Sequence, residues 1–595
     1  MHDFSLRREW PCVVALTALG FATRVAVALH PDAYCCGDTA IFALMAKHIW
    51  TGQAAPLFCY GQGYNGGQVT WLMAPFYGAL GADFRGVLMA HAVVWVLSVP
   101  VLYRLVFAVG GRWGAVAALA ALGLGTRPLY DAGAMVGYFE LLPLAALLFL
   151  LVARAARGGA GDGVGLGIGL VVGLGVWTNP QFVAPAFAAF AALWAASPTR
   201  ALLRRGALAA RVGSGPAALV AVALALPVLA CAVAFAAVLA GSTAVTRPER
   251  VLMRAAAVLV TVWFALELAT NPRRRAIACG VVGLVVFAIP HVAYRLGGYA
   301  DRVHSVPLRL ESGHLGRNAA DALGLGCEVL FGETGFAQPG PPGLPPSDLG
   351  AATWPWALGA AALFALAAVP AVRAAWALMR AAGSAFALAP ARVTLGGLLA
   401  LHAVAAVAPT LLHAERLQER YFDQLWLPYA SALAAAVGAL AGRDRRWGIL
   451  ALALVFAHHG RDFAGVWTEC RGADLRPPYT ELEAELVAHG ATVGYAHYDE
   501  AYLASYLSDE RVRLSSYAGW LPRVAAYRDL AARTPRPVAV FAKTEFDRAN
   551  KDALLARHPD LVVQAWESSR WWFVQVRRPR GGYLEELEGE RRGDE

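Results

Sequence analysis

Charge is scarce in this chain of 595 residues: 16% of them are charged, 58% are hydrophobic, and the mean hydropathy is +0.48. Such a balance excludes an ordinary water-soluble fold for most of the length. The eight cysteines contain no CxxC pair and the histidines add no metal-type spacing, so neither a metal nor any other cofactor is expected. The glycine-rich stretch near residue 60 lacks the GK[ST] ending of a phosphate-cradling loop, which argues against a nucleotide site. An internal repeat of the transporter kind is also missing. No small-residue cleavage site follows the apolar run from Pro11 to Leu29, which contains Arg24. That run reads as an uncleaved first span rather than a removed signal.

What the chain has instead is long apolar stretches such as residues 217–240, sufficient as helices to cross about 30 Å of hydrocarbon. About thirteen spans are expected, near 10–29, 86–108, 112–126, 134–153, 164–180, 181–197, 217–240, 251–269, 276–294, 353–379, 393–412, 424–441 and 446–463. The fold class is therefore a polytopic α-helical membrane protein, multi-pass in the cytoplasmic membrane.

The net charge of +9 raises the question of nucleic acid, but the arginines sit in short connections between spans, where they act as topology signals. Nucleic acid is not expected as a partner. With the N-terminus in the cytoplasm, Arg7 and Arg8, Arg154 and Arg157, the 200–211 arginines, Arg273 to Arg275, Arg380, Arg392, and Arg443, Arg445 and Arg446 all fall on one side. The opposite face receives the loops 30–85, 126–133, 295–352 and 413–424 and everything after about residue 464. Polar residues are elaborated on that face, and loops are where chemistry concentrates.

After Cys470 the composition changes. Short β-like stretches at 491–496, 511–517, 537–543 and 560–566 alternate with helical segments near 479–489, 499–507, 521–533 and 545–557. This predicts a soluble α/β domain over 471–580, outside the cytoplasm, after a membrane domain over 1–463. The charged end, 581–595, is expected to be disordered.

The first outer loop carries the densest set of candidates. Asp38 precedes a predicted amphipathic helix, Thr39 to Trp50, that would lie along the membrane interface and hold the carboxylate there for acid–base work. Helix capping is the plainer explanation of the same aspartate. Tyr60, Gln62, Tyr64 and Asn65 lie among glycines and would offer hydroxyls, amides and aromatic faces to a polyhydroxy ligand, or would simply form a turn. Arg24, Arg127 and Asp131 lie near the same ends of the spans, as does Tyr138 beside Glu140. A carboxylate inside an apolar helix is costly, so Glu140 must face a wet or protein-lined cavity. Arg416, Arg420 and Tyr421 precede a late span, where arginine either pairs with a phosphate or snorkels to headgroups. A bridge from Cys59 to Cys35 or Cys36 would brace the first loop.

These residues carry a resemblance. GDTAIFALMAKHIWTGQ (37–53), YGQGYNGGQVTWLMAPFYGALG (60–81), GYFE (137–140), GVWTNPQ (175–181) and ERYFDQLWLP (419–428) stand in an order and topology that resembles bacterial GT-C glycosyltransferases, the superfamily of protein O-mannosyltransferases and lipid A aminoarabinose transferases. The resemblance covers roughly residues 1–460. It implies sugar transfer from a polyprenyl-phosphate donor to a lipid, glycan or protein acceptor at the outer face, with Asp38 matching the family's first-loop base and Asp131 the acidic residue of its second loop. GDTA lacks the adjacent acidic pair of the protein O-mannosyltransferases, which counts against a protein acceptor. Other classes that fit the same pattern are a flippase for a lipid-linked saccharide and a non-catalytic envelope assembly protein; polar residues gathered at one face, rather than at the midplane, favour the enzyme.

Overall fold

The computed structural model describes residues 6–63, 65–134, 137–159, 161–196, 274–296, 391–411, 423–517 and 523–577. The expected spans 217–240, 251–269 and 353–379 lie outside these residues, as do Tyr64, Arg416, Arg420, Tyr421 and the charged end.

Four helices among the described residues are long and apolar enough to cross a membrane, and the chain is a multi-pass helical membrane protein. α1 (Leu6–Leu29) packs along α4 (Arg85–Leu124). α4 joins two expected spans, because the chain breaks helical geometry at the single residue Gly111 (φ 67°), a left-handed conformation that glycine adopts without strain. After the short α5 (Arg127–Ala134) come α6 (Leu141–Arg154), α7 (Asp162–Thr178), α8 (Val183–Ala196), α9 (Arg274–Leu296), α10 (Ala391–Leu411), α11 (Trp426–Arg443) and α12 (Arg445–Gly472). α12 runs nine residues beyond the expected span end at 463, since nothing in RDFAGVWTECRG breaks a helix and Val466 and Cys470 are buried against Val27 and Tyr34.

Helices meet where side chains are smallest. A Cβ on Gly169 of α7 would stand 1.8 Å from the Gly280 carbonyl oxygen of α9, so the two backbones touch. Such close approach replaces the hydrophobic drive that lipid cannot supply between helices. At one end of the bundle Arg112 pairs with Glu9 at 2.6 Å, and Arg445 lies 6.0 Å from the Trp113 ring. The start of α1, the break in α4 and the start of α12 therefore share an end.

The other end is covered by a cap built from two distant parts of the chain. The first part is α2 (Gly37–Trp50) and α3 (Gln68–Leu80). The second is residues 476–577, with α13 (Arg476–Ala488), β1 (Val493–Ala496), α14 (Tyr498–Leu507), β2 (Arg513–Ser516), α15 (Ala525–Arg533), β3 (Val538–Ala542), α16 (Glu545–Arg557), β4 (Val562–Glu567) and β5 (Trp571–Val576). The sheet order is β2-β1-β3-β5-β4, parallel on both sides of β1 and antiparallel on both sides of β5. Helices of ten or so residues connect β1 to β2 and β2 to β3, as parallel neighbours require.

One apolar core crosses the cap. Ile41 and Met45 of α2 belong to the same buried cluster as Leu482, Tyr502, Tyr506, Val540 and Phe573. α2 thus does not lie along an interface with one face exposed. Its run AIFALMA is apolar on every side, and each of Ala40 through Ala46 is at most 3% exposed between α3 and α14.

Candidate functional site

Cys36, not Asp38, occupies the N-cap of α2, and Asp38 sits in the first turn. A carboxylate there is favoured by the helix dipole. Capping does not account for it, because its oxygen is engaged from the opposite half of the cap. The Tyr498 hydroxyl donates to Asp38 Oδ1 at 2.6 Å, and Arg523 Nη2 lies 3.4 Å from the same oxygen. The Arg523 side chain is 7% exposed and that of Asp38 21%, so the pair is shielded while the carboxylate keeps access to solvent. Arg523 Nε also donates to the Tyr60 carbonyl at 2.8 Å, and the Gly37 N–H donates to Asp499 Oδ1 at 2.6 Å. Burial pushes the Asp499 carboxyl up, with the Gly37 N–H opposing, and burial pushes the Tyr498 phenol far up, so it stays a donor.

The glycine-rich loop folds on itself beside this group. Phe58 and Gly66 form a bridge, the Cys59 N–H donates to the Asn65 carbonyl at 2.8 Å, and Asn65 Nδ2 donates to Gln62 Oε1 at 2.8 Å. Gly61 (φ 65°) faces the Arg523 backbone, where a Cβ would stand 2.9 Å from its Cα. The Tyr60 hydroxyl meets His48 Nδ1 at 2.8 Å, and His48 Nε2 lies 3.2 Å from Glu510. The amides of Gln62 and Asn65 therefore tie the loop together.

On its other side the loop rests on the turn after α7. The Gly66 N–H donates to the Thr178 carbonyl at 3.2 Å, Trp177 Nε1 to the Leu57 carbonyl at 3.2 Å, and Gln68 Nε2 to the Thr178 hydroxyl. Asn179 caps the following short turn through the Gln181 N–H at 2.9 Å, and Gln181 Oε1 accepts from Gln424 Nε2 at 3.4 Å. His402 Nε2 lies 3.1 Å from Gln424 Oε1. Glu140 is in the turn just before α6 rather than inside a span, and its Oε2 accepts from the Gly137 N–H at 2.9 Å. Gly137 in turn abuts the Thr178 carbonyl. The buried Cys59 thiol is pushed up to about 12, by burial first; Arg523 opposes the shift, and both the Asp38 and Glu140 carboxylates add to it. Two carboxylates from separate segments thus act on one buried loop residue.

The remaining candidates fall elsewhere. Arg127 Nη2 lies 3.1 Å from Glu469 of α12 and its Nε 4.0 Å from Asp131, which ties α5 to α12. Arg24 is 1% exposed, with its guanidinium 4.1 Å from the Trp95 ring. It donates to the carbonyls of Leu122 and Gly123 at 3.2 and 3.1 Å, closing the C-terminal end of α4, where a cation is favoured. Tyr138 occupies the turn before α6, where its carbonyl accepts the Leu141 N–H at 3.2 Å. Cys35, Cys36, Cys59 and Cys470 are all free thiols, which corrects the expected bridge. Each of the first three turns to a near neighbour instead: Cys35 to the Pro31 carbonyl, Cys36 to the Thr39 hydroxyl and Cys59 to the Gly66 carbonyl.

Tyr498, Arg523 and Thr178 escaped the sequence reading. Only contacts across hundreds of residues connect Tyr498 and Arg523 to Asp38. Thr178 belongs to GVWTNPQ (175–181), where nothing local marks it as a contact of the glycine-rich loop.

No protein-family model matches the chain, and no curated protein matches it. Among solved structures it is similar to ArnT from Cupriavidus metallidurans bound to undecaprenyl phosphate, at 13% identity over 96% of this chain and 98% of that one, with a TM-score of 0.48. It is also similar to the archaeal oligosaccharyltransferase AglB from Archaeoglobus fulgidus in complex with an inhibitory peptide and a dolichol-phosphate. Here the identity is 12% over 90% of this chain and 70% of that one, with a TM-score of 0.47. Likenesses this distant carry no weight for activity.

Proposed function

We propose that the protein is a membrane glycosyltransferase that moves a sugar from a polyprenyl-phosphate donor to an acceptor hydroxyl or amine of the cell envelope, with Asp38 as the base. The observation that carries this reading is the carboxylate of Asp38, fixed at the start of α2 by Tyr498 and Arg523 yet open to solvent. The sequence motifs of the first loop and of residues 175–181, which resemble the GT-C pattern, support it.

In the proposed reaction the acceptor oxygen or nitrogen attacks the anomeric carbon while Asp38 takes its proton. The bond from that carbon to the phosphate oxygen breaks, and the phosphate leaves with the electron pair. A phosphate needs no strong acid to leave, so a single base suffices. Arg523 and Tyr498 hold the carboxylate in position. Glu140, on the other side of the glycine-rich loop, is assigned to positioning the acceptor, and Asp131 is assigned a supporting acidic role in the second outer loop.

The proposed setting is the cytoplasmic membrane, with the N-terminus inside and the cap outside. The shared end of Glu9, Arg112 and Arg445 supports this, because it is the arginine-rich end and the cap covers the opposite one. About thirteen spans and a C-terminal α/β domain over 471–580 complete the proposed architecture.

The test is release of polyprenyl phosphate by the purified protein from a panel of polyprenyl-phosphate sugars, with Asp38→Asn in parallel. Turnover lost in the variant supports the reading. No turnover with any donor, beside tight donor binding in both proteins, would replace the enzyme with a carrier.

A further inference from the structure

Residues 458–462 of α12, HHGRD, carry none of the spacings by which metal sites are recognised in sequence. In the structure, ligand atoms of His458, His459 and Asp462 lie within 4.8 Å of one another. His458 Nε2 is 3.5 Å and His459 Nδ1 is 4.0 Å from the same oxygen, Asp462 Oδ2. We propose that these three residues hold a divalent transition-metal ion of the zinc class, a site separate from Asp38 and independent of the transferase reading.

Positions i+3 and i+4 share one helix face, so α12 itself brings both imidazoles to the Asp462 carboxylate. Burial sets the group apart from an ordinary helical ion pair. His459 is 1% exposed, and its Nδ1, on the side of the carboxylate, makes no hydrogen bond. Its other ring nitrogen lies 3.2 Å from the Tyr429 hydroxyl of α11. The hydroxyl can accept from Nε2–H, and in that tautomer Nδ1 keeps its lone pair for an ion, the usual support for a metal-bound imidazole.

The geometry is close to what such an ion needs. With bonds of about 2.0–2.1 Å, tetrahedral ligands stand about 3.3 Å apart, so the His458 contact at 3.5 Å is nearly in range and the His459 contact at 4.0 Å closes by side-chain rotation. Two imidazoles and one carboxylate favour zinc, cobalt or nickel over magnesium or calcium, and three protein ligands leave a fourth position for water. Because Tyr429 belongs to α11, the bound ion would fasten α12 to its neighbour.

The experiment uses the full-length protein in detergent, with any histidine tag removed, stripped by a chelator and re-equilibrated with Zn2+ or Co2+. We expect about one equivalent of metal per chain by mass spectrometry, the strong visible absorption of tetrahedral cobalt, and no displacement by Mg2+. His458→Gln, His459→Gln and Asp462→Asn should each abolish uptake, and Tyr429→Phe should weaken it by about 10–100-fold. The proposal is overturned if the wild-type protein takes up no ion, or if the three variants take up as much as it does. Should a variant fail to fold, the cobalt spectrum of the wild-type protein decides: weak octahedral absorption sinks the site, and tetrahedral absorption upholds it.

Discussion

In the bundle, helices meet through glycine and alanine, and the contacts between α7 and α9 and between α4 and α11 bring backbone against backbone. In the cap, the first loop and the C-terminal segment are joined by charge as well as by apolar packing. Lys47 of α2 lies 2.7 Å from both Asp509 and Glu510, Glu510 also takes His48 and the Tyr527 hydroxyl, and Tyr77 of α3 donates to Asp509 at 3.0 Å. Shape alone holds the α7–α9 contact, and shape together with ionisation holds the cap. Acid should therefore loosen the cap and leave the α7–α9 contact alone, and a bulky residue between those helices should do the reverse.

The largest expected effect tests whether the cap is where chemistry occurs. Asp38→Asn should lower kcat by about 10²–10⁴-fold, the range of a lost general base, while the protein stays folded by circular dichroism. Arg523→Gln comes next, at about 10–100-fold in kcat with the donor KM held, since a charged partner of a carboxylate contributes about 1.5–3 kcal/mol. An increase in donor KM alone would instead make Arg523 a donor contact and break the assignment. In the bundle, Gly169→Leu drives a side chain into the α9 backbone. Overpacking of that kind costs about 1–3 kcal/mol, so the melting temperature in detergent should fall while the charge contacts of the cap stay intact. A midpoint equal to that of the wild-type protein would show that α7 and α9 do not pack this closely.

Much of the fold was legible because it rests on local signals. The apolar runs marked α1, α7 and α11 to within a few residues, and the four β-like stretches after Cys470 correspond to β1 through β4. β5 was missed although WWFVQV is strand-like, because the charged turn between Glu567 and Trp571 hid a hairpin. The site was legible only in half. Asp38 stands out in its loop, but Tyr498 and Arg523 reach it from 460 and 485 positions further along the chain, a juxtaposition that no local pattern encodes. The placement of α2 was misjudged for a related reason: its partner surface, α14, lies across the same gap, so a helix that is buried on all sides looked like one lying on a membrane.

The finest test of the contrast is acid. Burial pushes the Glu510 carboxyl up, but the hydrogen bonds from His48, Lys47 and Tyr527 outweigh it and hold the group well below its usual value of 4.5. A carboxyl depressed in the folded state contributes its full stabilisation above the unfolded value, near 4.5, and loses it as the pH falls towards the folded value. Near neutral pH the latch is therefore complete, and it weakens progressively below about pH 4.5. Glu510→Gln should remove about 1–2 kcal/mol at pH 7 and flatten the acid dependence, so that the two proteins converge as the pH falls. Limited proteolysis of the segment 473–577 across pH 3 to 7 reads this directly, while protection of α7 and α9 should not change over that range. Equal acid sensitivity in the two proteins would place the weak point in another carboxylate, and Asp499 is a poor substitute. Its carboxyl is raised by burial, so protonation relieves a cost there, and acid acting through Asp499 would tighten the cap instead of opening it.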